Sequence, residues 1–277
     1  MIPEIKIEEV TPRTVMVTGG HGNAGAVALS NFIICIDSTI YPQTAKQYRD
    51  DVEKRFNLQT KYLFITHSHG DHTFGAAAFK ETHIFGSNSL IEEMNKKLEI
   101  SWTQEEFANW IKEQPENKDL IEAIEIIIPK TGFSDTYIIK DDDHKVEFYH
   151  AGGHTAGSAY ALFPQEKVLF AGDLIFAESF PWAGDPTCNP DKWIDCLREF
   201  LTLDFEKLVP GHGLVVGKEE VMKHLKHLEA LREATRDAVK EGRGADNIMC
   251  PEFYDSTEDW IIPRSLEHWY KFYEDKP

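Results

Sequence analysis

Tyr62-Leu63-Phe64-Ile65-Thr66-His67-Ser68-His69-Gly70-Asp71-His72 is the stretch on which the fold of this 277-residue chain turns. It opens as a short apolar run of strand character and ends in alternating ligating side chains. In an extended segment alternate side chains share a face, so His67 and His69 can grip one metal ion together. Gly70 permits a sharp turn, after which Asp71 and His72 can point at a second ion nearby. The bland account is a histidine-rich surface loop. It weakens because three other strand-like runs also end in histidine or aspartate.

Those runs are VEFYHAGGH (146–154), VLFAGD (168–173) and KLVPGHG (207–213). They present His154, Asp173 and His212, each flanked by glycines that let the backbone turn and approach closely. Singly, each would more often be a turn or a satisfied polar residue. Together with the first cluster they give five histidines and two aspartates, an imidazole and carboxylate set that suits zinc. Polar ligands at the ends of buried strands imply a site at the rim of packed sheets.

Working outward, strands are expected at Ile5–Glu8, Val15–Val17, Ala26–Leu29 and Phe32–Ile36, with a helix over 43–57. A second strand-rich group begins near residue 134. Asn189-Pro190 opens a helix as N-cap and first-turn proline, with Ile194, Leu197 and Leu201 toward the core. A longer helix over about 218–241 carries Val221, Leu225 and Leu228 on one face and stops at Gly242. His224 and His227 on that helix are expected to be exposed. The whole reads as one domain over 1–277 built from two similar βα halves. A helical insertion at about 88–130 and a helical, aromatic C-terminal extension at about 242–277 complete it.

In the insertion, Thr103-Gln104-Glu105-Glu106 is a capping box with Trp102 and Phe107 as its staple, and Pro115 ends the helix. Trp110 either lines the mouth of the site and governs substrate choice, or merely pins the insertion to the sheets.

Formal net charge is −18, which repels polyanions and argues against a nucleic-acid partner. No stretch approaches the ~20 apolar residues that span a bilayer, so no membrane association is expected. Met1–Lys6 lacks a basic segment followed by an apolar run, and no signal peptide is expected. Cys35, Cys188, Cys196 and Cys250 are scattered and read as reduced thiols, consistent with a cytoplasmic location.

The motifs HSHGDH, GGH, GD and PGHG, in this order from about residue 13 to 216, resemble the metallo-β-lactamase-fold hydrolase superfamily. The resemblance implies an α/β (α+β) chain folded as a four-layer αββα sandwich with metals at one edge of the two sheets. It implies that His67, His69 and His154 hold a first metal, that Asp71, His72 and His212 hold a second, and that Asp173 bridges both. Two divalent ions per chain follow, with zinc favoured over iron or manganese. Enzymes of the family that destroy β-lactams commonly carry cysteine at the bridging position or lack a bridge. Aspartate is similar to branches acting on thioesters, lactones, phosphodiesters or sulfate esters.

The expected activity is a binuclear metal-dependent hydrolysis, in which a metal-bridging hydroxide attacks a small ester, thioester, lactone or lactam. Asp71 is the candidate catalytic carboxylate, accepting a hydrogen bond from that hydroxide. The competing readings are a mononuclear iron persulfide dioxygenase and a phosphodiesterase or nuclease of the same superfamily. Only 38 residues separate Asp173 from His212, too few for the nuclease branch's inserted domain. Lactonases of the superfamily place tyrosine three residues after the bridging aspartate; Phe176 stands there and cannot donate a hydrogen bond. The Gly20–Gly25 match to GxGxxG is rejected as a dinucleotide site, because strand and turn follow it instead of a helix. Asp37, at a strand end facing the rim, is a candidate partner for a metal-binding histidine. His21 reads as a solvated loop residue.

Overall fold

The computed structural model describes residues 2–249 and 260–276. One sheet takes the strands β1 (Lys6–Thr11), β2 (Thr14–Thr18), β3 (Ala24–Ala28), β4 (Ile33–Ile36), β5 (Thr60–Phe64), β6 (His83–Ser87) and β7 (Thr131–Phe133) in spatial order. It is antiparallel from β1 to β4 and parallel from β4 to β7. The second sheet takes β8 (Thr136–Lys140), β9 (Lys145–His150), β10 (Ala159–Phe163), β11 (Val168–Phe176) and β12 (Lys207–His212). Only its β11–β12 pairing is parallel. The border between the halves falls at Ser134-Asp135, where the chain passes from one sheet to the other.

Strand alternation makes the layers. In β4, Ile34 and Ile36 enter the core between the sheets, while Ile33 and Cys35 face the opposite way. In β11, Val168 and Phe170 meet them from the second sheet, and Leu169 and Ala171 point outward. Both faces of each sheet are therefore apolar, and each needs a cover. Helix α1 (Pro42–Phe56) lays Ala45, Tyr48 and Val52 on the first sheet. It starts with proline at its first position and stops at Asn57, whose φ of 51° closes it in the left-handed region. The four residues of α2 (Gly70–Thr73) follow β5.

The expected insertion holds α3 (Asn88–Ile100), α4 (Gln104–Glu113) and α5 (Lys118–Glu122). Thr103 Oγ1 caps α4 by accepting from Glu106 N at 3.2 Å. Trp110 stacks on Tyr41 at 6.0 Å between centroids and joins Phe107 and Ile111 over Leu120 and Ile121. That is the pinning role.

The second sheet is covered by α6 (Pro190–Thr202), α7 (Lys218–Lys240) and α8 (Ile261–Glu274). Asn189 Oδ1 caps α6 by accepting from Lys192 N at 3.1 Å. His224 and His227 overturn the expectation of exposure, since both are fully buried. Their helix, α7, packs against α6 and α8 at once, so more than one of its faces is covered. His224 meets Trp193 of α6, and His227 meets Phe180 edge-on at 5.0 Å. Cys35, Cys188 and Cys196 are buried free thiols. Cys250 and residues 253–259 of the aromatic tail lie outside the described residues. Among the described residues no helix is long and apolar enough to cross a membrane.

Candidate metal centre

Four strand ends converge on one rim. The chain leaves β5 through Thr66, whose N and Oγ1 each donate to Asp37 at 2.8 Å. Asp37 follows β4 in left-handed backbone, φ 58°. Its Oδ2 also accepts from His72 Nδ1 at 2.9 Å, so the strand-end aspartate does hold one of the histidines. His67 turns its Nδ1 to Thr66 Oγ1, His69 donates from Nε2 to Asp185 at 2.9 Å, and His154 donates from Nδ1 to the Trp182 carbonyl at 3.0 Å. Each ring is thus anchored through one nitrogen and aims the other inward.

The inward atoms meet. His69 Nδ1 lies 3.2 Å from His67 Nε2 and 3.0 Å from His154 Nε2. Asp173 Oδ2 sits 3.4 Å from His67 Nε2 and 3.5 Å from His154 Nε2. Beside them, Asp71 Oδ2 is 3.5 Å from His72 Nε2 and 3.4 Å from His212 Nε2. Asp173 reaches this second group too, with Oδ1 at 3.1 Å from His72 Nε2 and Oδ2 at 3.4 Å from His212 Nε2. All seven sequence-predicted residues therefore come together as two groups of potential ligands that share Asp173.

A divalent cation fits this donor set. Zinc bonds of ~2.0–2.1 Å in tetrahedral geometry place neighbouring donors about 3.3–3.4 Å apart, close to the separations found. Buried His72 Nε2 and Asp173 Oδ1 have no hydrogen-bond partner of acceptable geometry among the described residues. Such atoms are costly unless something else satisfies them. Gly22 leaves the space, since a Cβ there would come within 2.6 Å of His72 Nε2. A Cβ at Gly211 would strike Asp173 Oδ1.

Electrostatics agree. Burial opposes charge on Asp173, but the surrounding His72, His212 and His67 hold its carboxyl well below the usual range. Asp71 is held low in the same way, against burial, by His72 and His212. Burial, reinforced by His69, pushes His154 well below the ordinary imidazole value, leaving it neutral as a metal ligand requires. His212 is pulled the other way. Burial resists, yet Asp173 and Asp71 raise it to about 10. The carboxylates demand positive charge, and protons on histidine supply it when no cation does.

The sequence reading missed the supports around this cluster. Asp185, in the loop between β11 and α6, receives His69 and stands 3.5 Å from Lys97 Nζ of α3. Glu93, also on α3 and buried, accepts from Ala156 N, Gly157 N, Thr155 Oγ1 and Thr187 Oγ1. It fastens the His154 loop to the Asp185 loop. The glycine-rich Gly20–Gly25 loop is a latch. Asn23 N donates to Gly211 O at 2.7 Å, and Asn23 Nδ2 donates to Pro210 O and Gly213 O.

A cavity of about 710 Å³ opens on the cluster, reaching His69, Asp71, Asp173 and His212. Its other walls are His21, Phe176, Ser179, Phe180, Trp182, Trp260 and Ile261. No residue of the 88–130 insertion is among its walls, which favours the pinning role over the mouth-lining one for Trp110. The walls come from the loop after β11 and the start of α8. His21 is exposed, as expected, but at this mouth. Phe176 lies flat on His212, rings 5.1 Å apart and 3° from parallel.

A family model described as the metallo-beta-lactamase superfamily matches residues 17–212. The alpha subunit of a 2,4-dinitroanisole O-demethylase from a Nocardioides species is 25% identical over 255 residues, 89% of this chain and 69% of that one. A hydroxyacylglutathione hydrolase from Haemophilus influenzae is 28% identical over 175 residues, 60% of this chain and 76% of that one. Among solved structures, the sec-alkylsulfatase Pisa1 from a Pseudomonas species aligns with a TM-score of 0.74 at 15% identity. That alignment covers 98% of this chain and 50% of the sulfatase.

Proposed function

Because the chain belongs to the metallo-beta-lactamase superfamily, whose members are mostly metal-dependent hydrolases, we propose that it is a binuclear hydrolase of a small ester, thioester, lactone or lactam. The observation that carries this reading is the pair of ligand groups, His67, His69 and His154 beside Asp71, His72 and His212, with Asp173 between them. Divalent ions held there, zinc before iron or manganese, supply Lewis acidity that acidifies water and polarises the substrate's oxygen.

The protein's own part is positioning and charge. Asp37, Asp185 and the Trp182 carbonyl engage one ring nitrogen each of His72, His69 and His154, so the inward nitrogens are placed to offer lone pairs to a bound ion. Asp71 lines the cavity and stays ionised, so it can accept a hydrogen bond from an attacking water and orient it. Phe176 and Phe180 keep one wall dry, which strengthens every charge interaction inside. No covalent nucleophile is required.

The test is metal content with activity. Purified with zinc available, the chain should carry about two ions, and alanine at His67, His154 or His212 should lower that content and abolish hydrolysis. Full hydrolysis by rigorously metal-free protein would falsify the reading. About one iron per chain with oxygen consumption would replace it by the dioxygenase.

A further inference from the structure

The cavity over the cluster is more selective in chemistry than the cluster itself. Apart from the metal-ligand candidates, its lining is mostly aromatic, and no Lys or Arg is among the described lining residues. The stretch 250–259 that leads into Trp260 reads CPEFYDSTED and also holds no Lys or Arg. Arg264 lies over Trp260, 5.5 Å from its centroid, but lines a separate cavity behind Trp182. Apart from any ion held at the cluster, a substrate carrying its own carboxylate or phosphate would meet Asp71 and find no Lys or Arg among the described lining residues to pair with.

The aromatic walls differ in exposure. Phe176 is stacked on His212 and Phe180 is edge-on to His227, both buried. Trp182 is half-buried and Trp260 is 46% exposed. Their rings stand 5.1 Å apart at 59°. Both are held. The Trp182 carbonyl is fixed by His154 Nδ1, and Ala183 N donates to Ser265 Oγ of α8 at 3.0 Å. Two neighbouring indoles beside the reacting centre favour a flat, uncharged ring, which loses little solvation on entry and offers a face or edge to each.

We propose that Trp182 and Trp260 form a specificity site for an uncharged aromatic group, so that the substrates are neutral, aryl-bearing esters or thioesters. This rests on the hydrolase reading for the reaction, but the aromatic site itself does not depend on it.

The experiment uses the zinc-loaded full chain and three thioesters of one neutral thiol, N-acetylcysteamine, carrying phenylacetyl, acetyl or succinyl groups. The expected order of kcat/KM is phenylacetyl above acetyl by at least ~10-fold, with anionic succinyl last. Trp182→Ala and, separately, Trp260→Leu should each cut the phenylacetyl-to-acetyl ratio by at least ~10-fold, mainly through KM. In parallel, quenching of tryptophan fluorescence by the non-hydrolysable 4-nitrophenylacetamide is followed in the metal-free chain, with loss of binding expected in Trp182→Ala. Succinyl matching phenylacetyl, or a ratio unmoved in both variants, overturns the aromatic site and leaves the hydrolase standing. Binding of the amide that Trp182→Ala abolishes, with neither these thioesters nor phenyl acetate, a phenylacetyl lactone or a phenylacetyl lactam turned over, supports the site and sinks the hydrolase reading.

Discussion

Asp173 is the residue on which both ligand groups depend. Its Oδ2 approaches His67, His154 and His212, and its Oδ1 approaches His72. Removing the carboxylate therefore removes the one oxygen-bearing group common to the two positions. For Asp173→Ala we expect kcat to fall at least ~100-fold, with metal content reduced at both positions. Asp173→Cys should retain more metal than the alanine variant, because thiolate is also a zinc ligand. Elemental analysis beside initial rates decides it. An active alanine variant holding two ions would remove Asp173 from its bridging role. The neighbouring Gly211 explains why bulk is not tolerated there, since any side chain at 211 would occupy the carboxylate's own place.

At the scale of elements, α3 does work that its sequence hides. Leu90 and Met94 are core, as helical spacing suggests, but Glu93 and Lys97 turn toward the site. For Glu93→Gln, an amide faces two backbone N–H groups with one oxygen, and the His154 loop loses part of its anchorage. The expected outcome is a folded protein whose ion at His67, His69 and His154 binds ~10–100-fold more weakly, with the ion at His72 and His212 unaffected. Competition with a chromophoric chelator measures this, and thermal unfolding run in parallel checks folding. Equal affinity at both positions in a folded variant would assign Glu93 to packing alone. What was legible follows the same division. Strand alternation, the Asn189-Pro190 cap and the Thr103 cap are local patterns, and they read correctly from sequence. So did the convergence of the seven candidate ligands, because each lies in or just after an apolar strand. Asp185, Glu93 and Asn23 act across more than 60 residues of separation, and nothing local marks them. His224 and His227 misled for a related reason. One apolar face is visible in a helix's spacing, but not the second covered face that α8 gives α7.

At the scale of the whole molecule, charge sets the partners. A chain of net charge −18 offers few phosphate contacts, and cations held at one rim would not make a track for a nucleic-acid backbone. We therefore expect no tight, salt-dependent binding to DNA or RNA at physiological salt. A fluorescence-anisotropy titration giving submicromolar affinity that falls steeply with added salt would reverse this. The two sheets also divide the rim unequally. His67, His69, Asp71 and His72 follow the first sheet's β5, while His154, Asp173 and His212 belong to the second. The chain passes between the sheets once, at Ser134-Asp135, and Asn23 reaches across to the His212 turn. Neither half owns a complete set of the candidate ligands. A chain nicked at that crossing would consequently behave as a two-fragment reporter, in which tight zinc uptake signals that the fragments have met, and a bound ion acts as a reversible rivet between them.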